Sequence, residues 1–207
     1  MKNLIIVFFL LAINPIQAQS LAVKDLRNII TKNIPEWTAS FQNFNWNDFI
    51  KVDSTADFEN QFKEDFKSLK KFQNIYNPII SYSGSKNKFI DIYSYELNLE
   101  KKNGKYYSIN DVGQAIYFCD INNKTWIRIA YNEYSKYFDD VIWINENQFL
   151  LVGYEENENN KKSPIIYIGN VKEKSFEIVI NTNVKCFQKE KLYKSKKLNN
   201  IKIEKEK

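Results

Sequence analysis

Histidine is absent from this 207-residue chain. With it go Ser-His-Asp triads, histidine general bases and nearly every catalytic zinc site, all of which depend on an imidazole. Arginine is scarce: only Arg27 and Arg128 are available for bidentate contacts to phosphates or base edges, so no nucleic-acid partner is expected. Five glycines and four prolines leave few backbone breakers and no glycine-rich phosphate loop, and turns must rest on Asn, Asp, Ser and Lys. Two cysteines are too few for a thiolate cluster, and neither a metal nor another cofactor is expected. After the first 18 residues no apolar run approaches the roughly 20 that span a bilayer.

What is present begins with MKNLIIVFFLLAINPIQAQS. Lys2 gives a positive start, Leu4 to Ile13 an apolar run, Asn14 and Pro15 a helix break, and Ala18 a small residue at a cleavage point. The pattern is that of a secretory signal peptide over residues 1–18, which sends the chain to the periplasm or the extracellular space. A retained anchor is the alternative, because Ile16 is bulky for the position two before cleavage. No Cys follows the apolar run, so a lipoprotein is not expected. Export puts Cys119 and Cys186 where disulfides form, and a Cys119–Cys186 bridge and two unrelated buried thiols both remain open. The formal charge of +5 is uneven: residues 185–207 carry nine Lys and three Glu, while the body between leader and tail is net negative. A Lys-rich end without interleaved aromatics reads as a solvated tail.

The aromatic share is 15% and the hydrophobic share 43%, enough for one domain with a substantial core. Leu21, Leu26, Ile29 and Ile30 approach helical spacing before Pro35. Residues 36–52 show no clean period. In residues 54–76 Phe58, Phe62, Phe66, Leu69, Phe72 and Tyr76 recur every three or four positions, with a Ser54/Asp57 capping pattern and Pro78 beyond. That spacing predicts one helix of about five turns with a phenylalanine stripe. From Ile79 onward eight or nine short runs of β-branched and aromatic residues alternate with polar turns, as in an antiparallel all-β unit.

A repeat organises these runs. IYFCDINNKTWIRIAYN (116–132) aligns without a gap on IYIGNVKEKSFEIVINT (166–182). ISYSGSKNKFIDIYSYE matches VIWINENQFLLVGYEE more loosely. The expected organisation is a leader (1–18), a helical segment (19–78), a duplicated β-meander domain (79–182, as 79–132 and 139–182) and a Lys-rich tail (183–207). In DDVIWINENQFLLVG, residues 139–153, both faces of each run are apolar and need cover. The cadence of residues 79–181 resembles blades of WD-like or TolB-like β-propellers. It lacks their Gly-His and Trp-Asp pairs, and two blades are too few for a ring of four to eight. Phrases such as FIDIYSYELNLE and FDDVIWINENQFLLVG are also similar to uncharacterised exported proteins of Bacteroidota type; that resemblance implies no activity. The expected fold is mainly β with N-terminal helices: two four-stranded antiparallel meanders packed face to face, with helix 54–76 over one face.

Without histidine, carboxylates are the remaining acids and bases. Asp139 and Asp140 are adjacent, so in an extended strand they point to opposite faces; Asp91 and Glu96 have odd spacing and do the same. Glycosidase-like chemistry needs two carboxyls converging across about 5 to 9 Å. Ser83/Lys86 and Ser68/Lys71 match Ser-x-x-Lys, which chance produces readily in a lysine-rich chain, and both are expected at the surface. The acidic loop Glu155 to Asn160 lacks the spaced Asp and Gly of a calcium loop and reads as a hairpin tip. A binding surface is the better candidate: Asp91, Tyr93 and Tyr95 on one face of a long strand, with Trp143 and Tyr154 on related strands, would set flat amphipathic rings beside a carboxylate for a sugar or peptide. The expected function is therefore that of an exported, non-enzymatic binding or envelope-assembly protein with an envelope protein or a glycan as partner. The alternative is a carboxylate-dependent hydrolase acting on envelope glycan or peptide. Self-association through exposed sheet edges is a further expectation.

Overall fold

The computed structural model describes residues 21–109 and 111–204. The leader expected over residues 1–18 lies outside them. In chain order the elements are α1 (Val23–Asn33), α2 (Pro35–Ala39), β1 (Phe41–Gln42), β2 (Phe49–Asp57), α3 (Leu69–Tyr76), β3 (Ser81–Tyr82), β4 (Lys88–Asp91), α4 (Ser94–Leu97), β5 (Leu99–Lys102) and β6 (Lys105–Ser108). They continue with β7 (Gln114–Asp120), β8 (Thr125–Asn132), β9 (Lys136–Trp143), β10 (Gln148–Glu156), β11 (Lys162–Asn170), β12 (Ser175–Asn181), β13 (Phe187–Gln188) and β14 (Ile203–Glu204).

Two main sheets follow from the alternating apolar runs. One has the order β3-β4-β7-β8 and the other β2-β12-β11-β10-β9, all antiparallel. Phe118 and Ile127 from the first share a core with Phe138, Val141, Phe149, Leu151 and Phe176 from the second. The sheets thus face one another, which buries one side of each. Gln114 on β7 bonds across the gap, its Nε2 donating to Phe138 O (2.8 Å) and its Oε1 accepting from Phe138 N (2.8 Å). The chain is mainly β and no sheet closes into a barrel.

The outer side of the five-stranded sheet carries Ile142, Leu150, Val152, Ile166, Ile168 and Val179, and these pack with Leu26, Ile30, Ile34 and Trp37 of the N-terminal helices and with Cys186 and Tyr193 of the tail. Residues 139–142 and 149–153 are therefore buried on both faces, but the second cover is α1 and α2, not a helix over 54–76. Of that expected helix only Leu69–Tyr76 forms, preceded by a 3-10 turn at Phe66–Ser68. It lies on the outer side of the four-stranded sheet, with Phe72 stacked on Phe89 (5.9 Å) and edge-on to Trp126 (4.7 Å).

The reason lies in sheet edges. Residues 54–57 are the end of β2, which pairs with β12 as a fifth strand. The next residues form a strap along β8: Glu59 N donates to Ile129 O (2.9 Å), Arg128 N to Phe62 O (3.0 Å) and Glu64 N to Trp126 O (2.9 Å). Backbone groups of two sheet borders outcompete the i to i+4 bonds of a lone helix, whose nucleation is costly. Phe58 still reaches the core against Phe176 (4.5 Å), whereas Phe62 is 50% exposed beneath the Arg128 guanidinium.

Two further expectations change. The aperiodic residues 36–52 contain α2, β1, a 3-10 turn at Trp46–Asp48 and the start of β2. The run KFIDIYSYELNLE is not one long strand: β4 ends at Asp91, whose Oδ1 accepts from Tyr93 N (3.0 Å) and Ser94 N (3.1 Å) and so starts the single turn α4. β5 and β6 leave the main sheets and form a three-stranded one with β14, which runs parallel to β6.

Candidate functional site

Three turns of the paired sheets reach the same end of the molecule. The β7–β8 and β11–β12 turns close alike: Asp120 Oδ1 accepts from Asn123 N (3.1 Å), and Asn170 Oδ1 accepts from Lys172 N (3.0 Å). Lys124 and Lys174 then take positive φ, at 51° and 55°. Asn145 Oδ1 fixes the β9–β10 turn by accepting from Asn147 N (2.8 Å). These are the Asn and Asp turns that a glycine-poor sequence must use. Ile121 N donates to Asn87 O, and Val171 N to Asn147 O, both at 2.8 Å.

Between these turns and the strap lies a cleft of about 740 Å³. Its floor is apolar, from Phe58, Phe118, Ile127 and Val171, and its rim carries Lys63, Lys88, Lys172 and Lys174. Asn60, Asn123, Asn147 and Thr125 stand among the lysines. The one carboxylate, Asp120, accepts at Oδ1 from Asn123 N and at Oδ2 from Asn123 Nδ2 (2.8 Å). None of the four lysines pairs with a carboxylate among the described residues. Lys88 Nζ is aimed by Glu146 O (2.9 Å) and Asn147 Oδ1 (3.4 Å), both neutral acceptors. Four ammonium groups against one lining carboxylate, over an apolar floor and without direct ion pairs, create a field that attracts anions.

A second cluster occupies the outer side of β9. Opposite Val152 and Gly153 the ladder slips by one: Val152 pairs with Asp140 and Gly153 with Phe138, so Asp139 is the extra residue of a β-bulge. The bulge overturns the expectation that Asp139 and Asp140 face apart. Trp37 Nε1 donates to Asp139 Oδ2 (3.2 Å), and Asp140 accepts from Tyr193 OH (2.7 Å), Ser195 Oγ (2.8 Å), Val141 N (2.8 Å) and Lys197 Nζ. Gly153 is what permits it, because a Cβ there would stand 1.9 Å from Tyr137 O. Burial pushes the Asp139 carboxyl up to about 7; the Trp37 bond works against this and the Asp140 charge adds to it. Burial, then the Asp140 charge, likewise holds the Tyr193 hydroxyl well above its usual value. A neighbouring hollow of about 470 Å³ is reached by Asp140 and Lys197 but not by Asp139.

The residues read from the sequence as one binding surface do not assemble. Asp91 is buried at the start of α4, and burial holds its carboxyl above the usual range. Tyr93 is buried and donates to Asp139 O (2.7 Å), while Tyr95 stands edge-on to Tyr131 (5.6 Å). Trp143 donates from Nε1 to Ser81 O (2.9 Å), and Tyr154 stacks on Tyr137 (5.9 Å) and accepts from Lys162 Nζ (3.1 Å). The shared face assigned to Asp91, Tyr93 and Tyr95 is lost because the strand stops at Asp91. Glu96, on α4, accepts from Tyr137 OH (2.6 Å) and makes no pair with Asp91. Cys119 and Cys186 are both free, and they are buried in different cores, so the bridge is not formed. Ser83 is buried rather than at the surface.

Sequence reading missed the cleft. Its lysines lie in a strap, a strand start and a turn far apart in the chain, and of the four only Lys172 and Lys174 fall in a polar turn marked by the sequence, VKEK. Among the described residues, no group of three or more His, Cys, Asp or Glu is placed to hold a metal ion, and no helix is long and apolar enough to cross a membrane. Comparison with family models, curated proteins and solved structures returned no match.

Proposed function

We propose that this is an exported, non-enzymatic binding protein that takes an anionic ligand in the cleft between the turns of its two sheets. The observation that carries this reading is the rim itself: Lys63, Lys88, Lys172 and Lys174 around a hollow of about 740 Å³, with no described carboxylate within ion-pair distance of any of them. Unpaired lysines on a folded surface are ordinary; four around one concavity with an apolar floor form a site.

The test must separate the cleft from the Lys-rich tail, which attracts anions unspecifically. Thermal shifts with a panel of soluble organic and inorganic anions are expected to give a rise in melting temperature that Lys172→Glu/Lys174→Glu abolishes. Lys191→Glu/Lys194→Glu, on the tail, is expected to leave it intact. No stabilising anion, or loss of the effect in the tail variant, contradicts the reading.

One observation favours a carboxylate-dependent hydrolase as a second reading: the bulge sets two aspartates on one side of β9 and burial raises one of them to about 7. Against it, four protein donors already satisfy Asp140, and Asp139 is 8% exposed. Hydrolysis of envelope glycan or peptide that Asp140→Asn abolishes in a folded variant would establish it.

A further inference from the structure

We propose that the ligand of the cleft is an acidic oligosaccharide, its carboxylates or sulfates against the lysines and its hydroxyls against the side-chain amides. This deepens, and rests on, the anion-binding reading above.

The first argument is the spacing of charge. Lys63 belongs to the strap, Lys88 to the start of β4, and Lys172 and Lys174 to the β11–β12 turn, so three separate segments bring positive charge to the hollow. A compact phosphate is gripped at one point, by an arginine fork or by the N–H groups of a helix start. The cleft has no arginine in its lining and no helix residue. An anion that meets ammonium groups from all three segments carries several charges rather than one.

The second argument is what lies between the charges. Asn60, Asn123, Asn147 and Thr125 bring both donors and acceptors to the wall. Hydroxyl-rich ligands need both kinds of partner, and fatty acids do not use them. Lys88 Nζ spends donors on Glu146 O and Asn147 Oδ1 and keeps a third for a ligand.

The third is the floor. Phe58 and Phe118 are 4% and 5% exposed, so neither offers a ring face on which a nucleobase could stack. The cleft volume falls within the roughly 300–1,000 Å³ of small-molecule pockets and exceeds what one sugar requires.

Calorimetric titration of the purified protein decides the matter with four probes: a tetragalacturonate, a heparin-derived tetrasaccharide, the neutral maltotetraose, and pyrophosphate. Binding of at least one acidic tetrasaccharide is expected, weakening as salt is raised, with maltotetraose and pyrophosphate at least about tenfold weaker. Which acidic probe binds separates carboxylate from sulfate chemistry. Lys172→Ala/Lys174→Ala is expected to lower the affinity about tenfold or more with an unchanged melting temperature. Should that pair disturb the fold, Lys63→Ala on the strap supplies the same comparison. Pyrophosphate binding as tightly as the saccharides overturns this proposal while sparing the anion reading. Maltotetraose binding equally well overturns the acidic requirement, and no binding by any anion removes both.

Discussion

Asp139 shows how one residue makes stability depend on pH. Its carboxyl titrates near 3.8 when unfolded and about 7 when folded, with burial as the main cause. The folded chain therefore holds the proton over the window in which the unfolded chain has lost it. The sign follows: this group favours the fold at low pH, its contribution declines from about pH 4 to 7, and above 7 the ionised buried carboxylate costs on the order of 4 kcal/mol. Asp139→Asn keeps an oxygen for Trp37 and carries no charge. Chemical denaturation is expected to show the variant more stable than the wild type at pH 8 and equal to it at pH 4; equal stability at both would remove the assignment. The cysteines give a second expectation at this scale. Burial pushes the Cys119 thiol up to about 12 and the Cys186 thiol up to about 11. Neither is expected to react with a thiol reagent at pH 8 until denaturant is added, and reductant should leave the melting temperature unchanged.

Among the elements, β9 owes its shape to β10. With a Cβ at Gly153 only 1.9 Å from Tyr137 O, Gly153→Ala is expected to expel the bulge and destabilise the fold by about 3 kcal/mol, read as a shifted denaturation midpoint. The bulge in turn presents Asp140 to Tyr193, Ser195 and Lys197, alternate residues of a segment with little regular structure. Asp140→Ala strands a lysine and two hydroxyls, and a loss of about 3–5 kcal/mol is expected together with new tryptic cleavage at Lys194 or Lys196. Strands were legible where apolar residues alternated between polar turns, because period and breakers agreed; β7 through β12 all fall on runs recognised that way. Residues 54–68 were not, since the phenylalanine spacing suits a helix and the decisive partners, β12 and β8, lie more than sixty residues ahead. A bulge is equally invisible, as it depends on the facing strand and not on the bulged one.

At the scale of the whole molecule, two sheets face each other and each outer side is covered, one by α1, α2 and the tail and the other by α3 with β5, whose Leu99 N donates to Tyr76 OH (2.6 Å). The two-sided apolar runs announced that cover was needed; the sequence pointed to the 54–76 stripe, and α1 with α2 supplied it instead because residues 54–64 were taken up by sheet edges. The aromatics proposed as a binding surface went instead to packing and to bonds with buried carbonyls. The cleft was hidden for a different reason: lysine has no pattern of its own, and only the meeting of the strap, the start of β4 and the β11–β12 turn gathers four of them. The same long-range closure has a temporal side. β2 is the border of its sheet and has only β12 beside it, with Phe49 opposite Asn181 and Asp57 opposite Ser175. A chain threaded through a narrow pore from its N-terminus would have to keep β2 unsettled until its final quarter emerged. Such non-local closure puts folding in the slower, millisecond-to-second class.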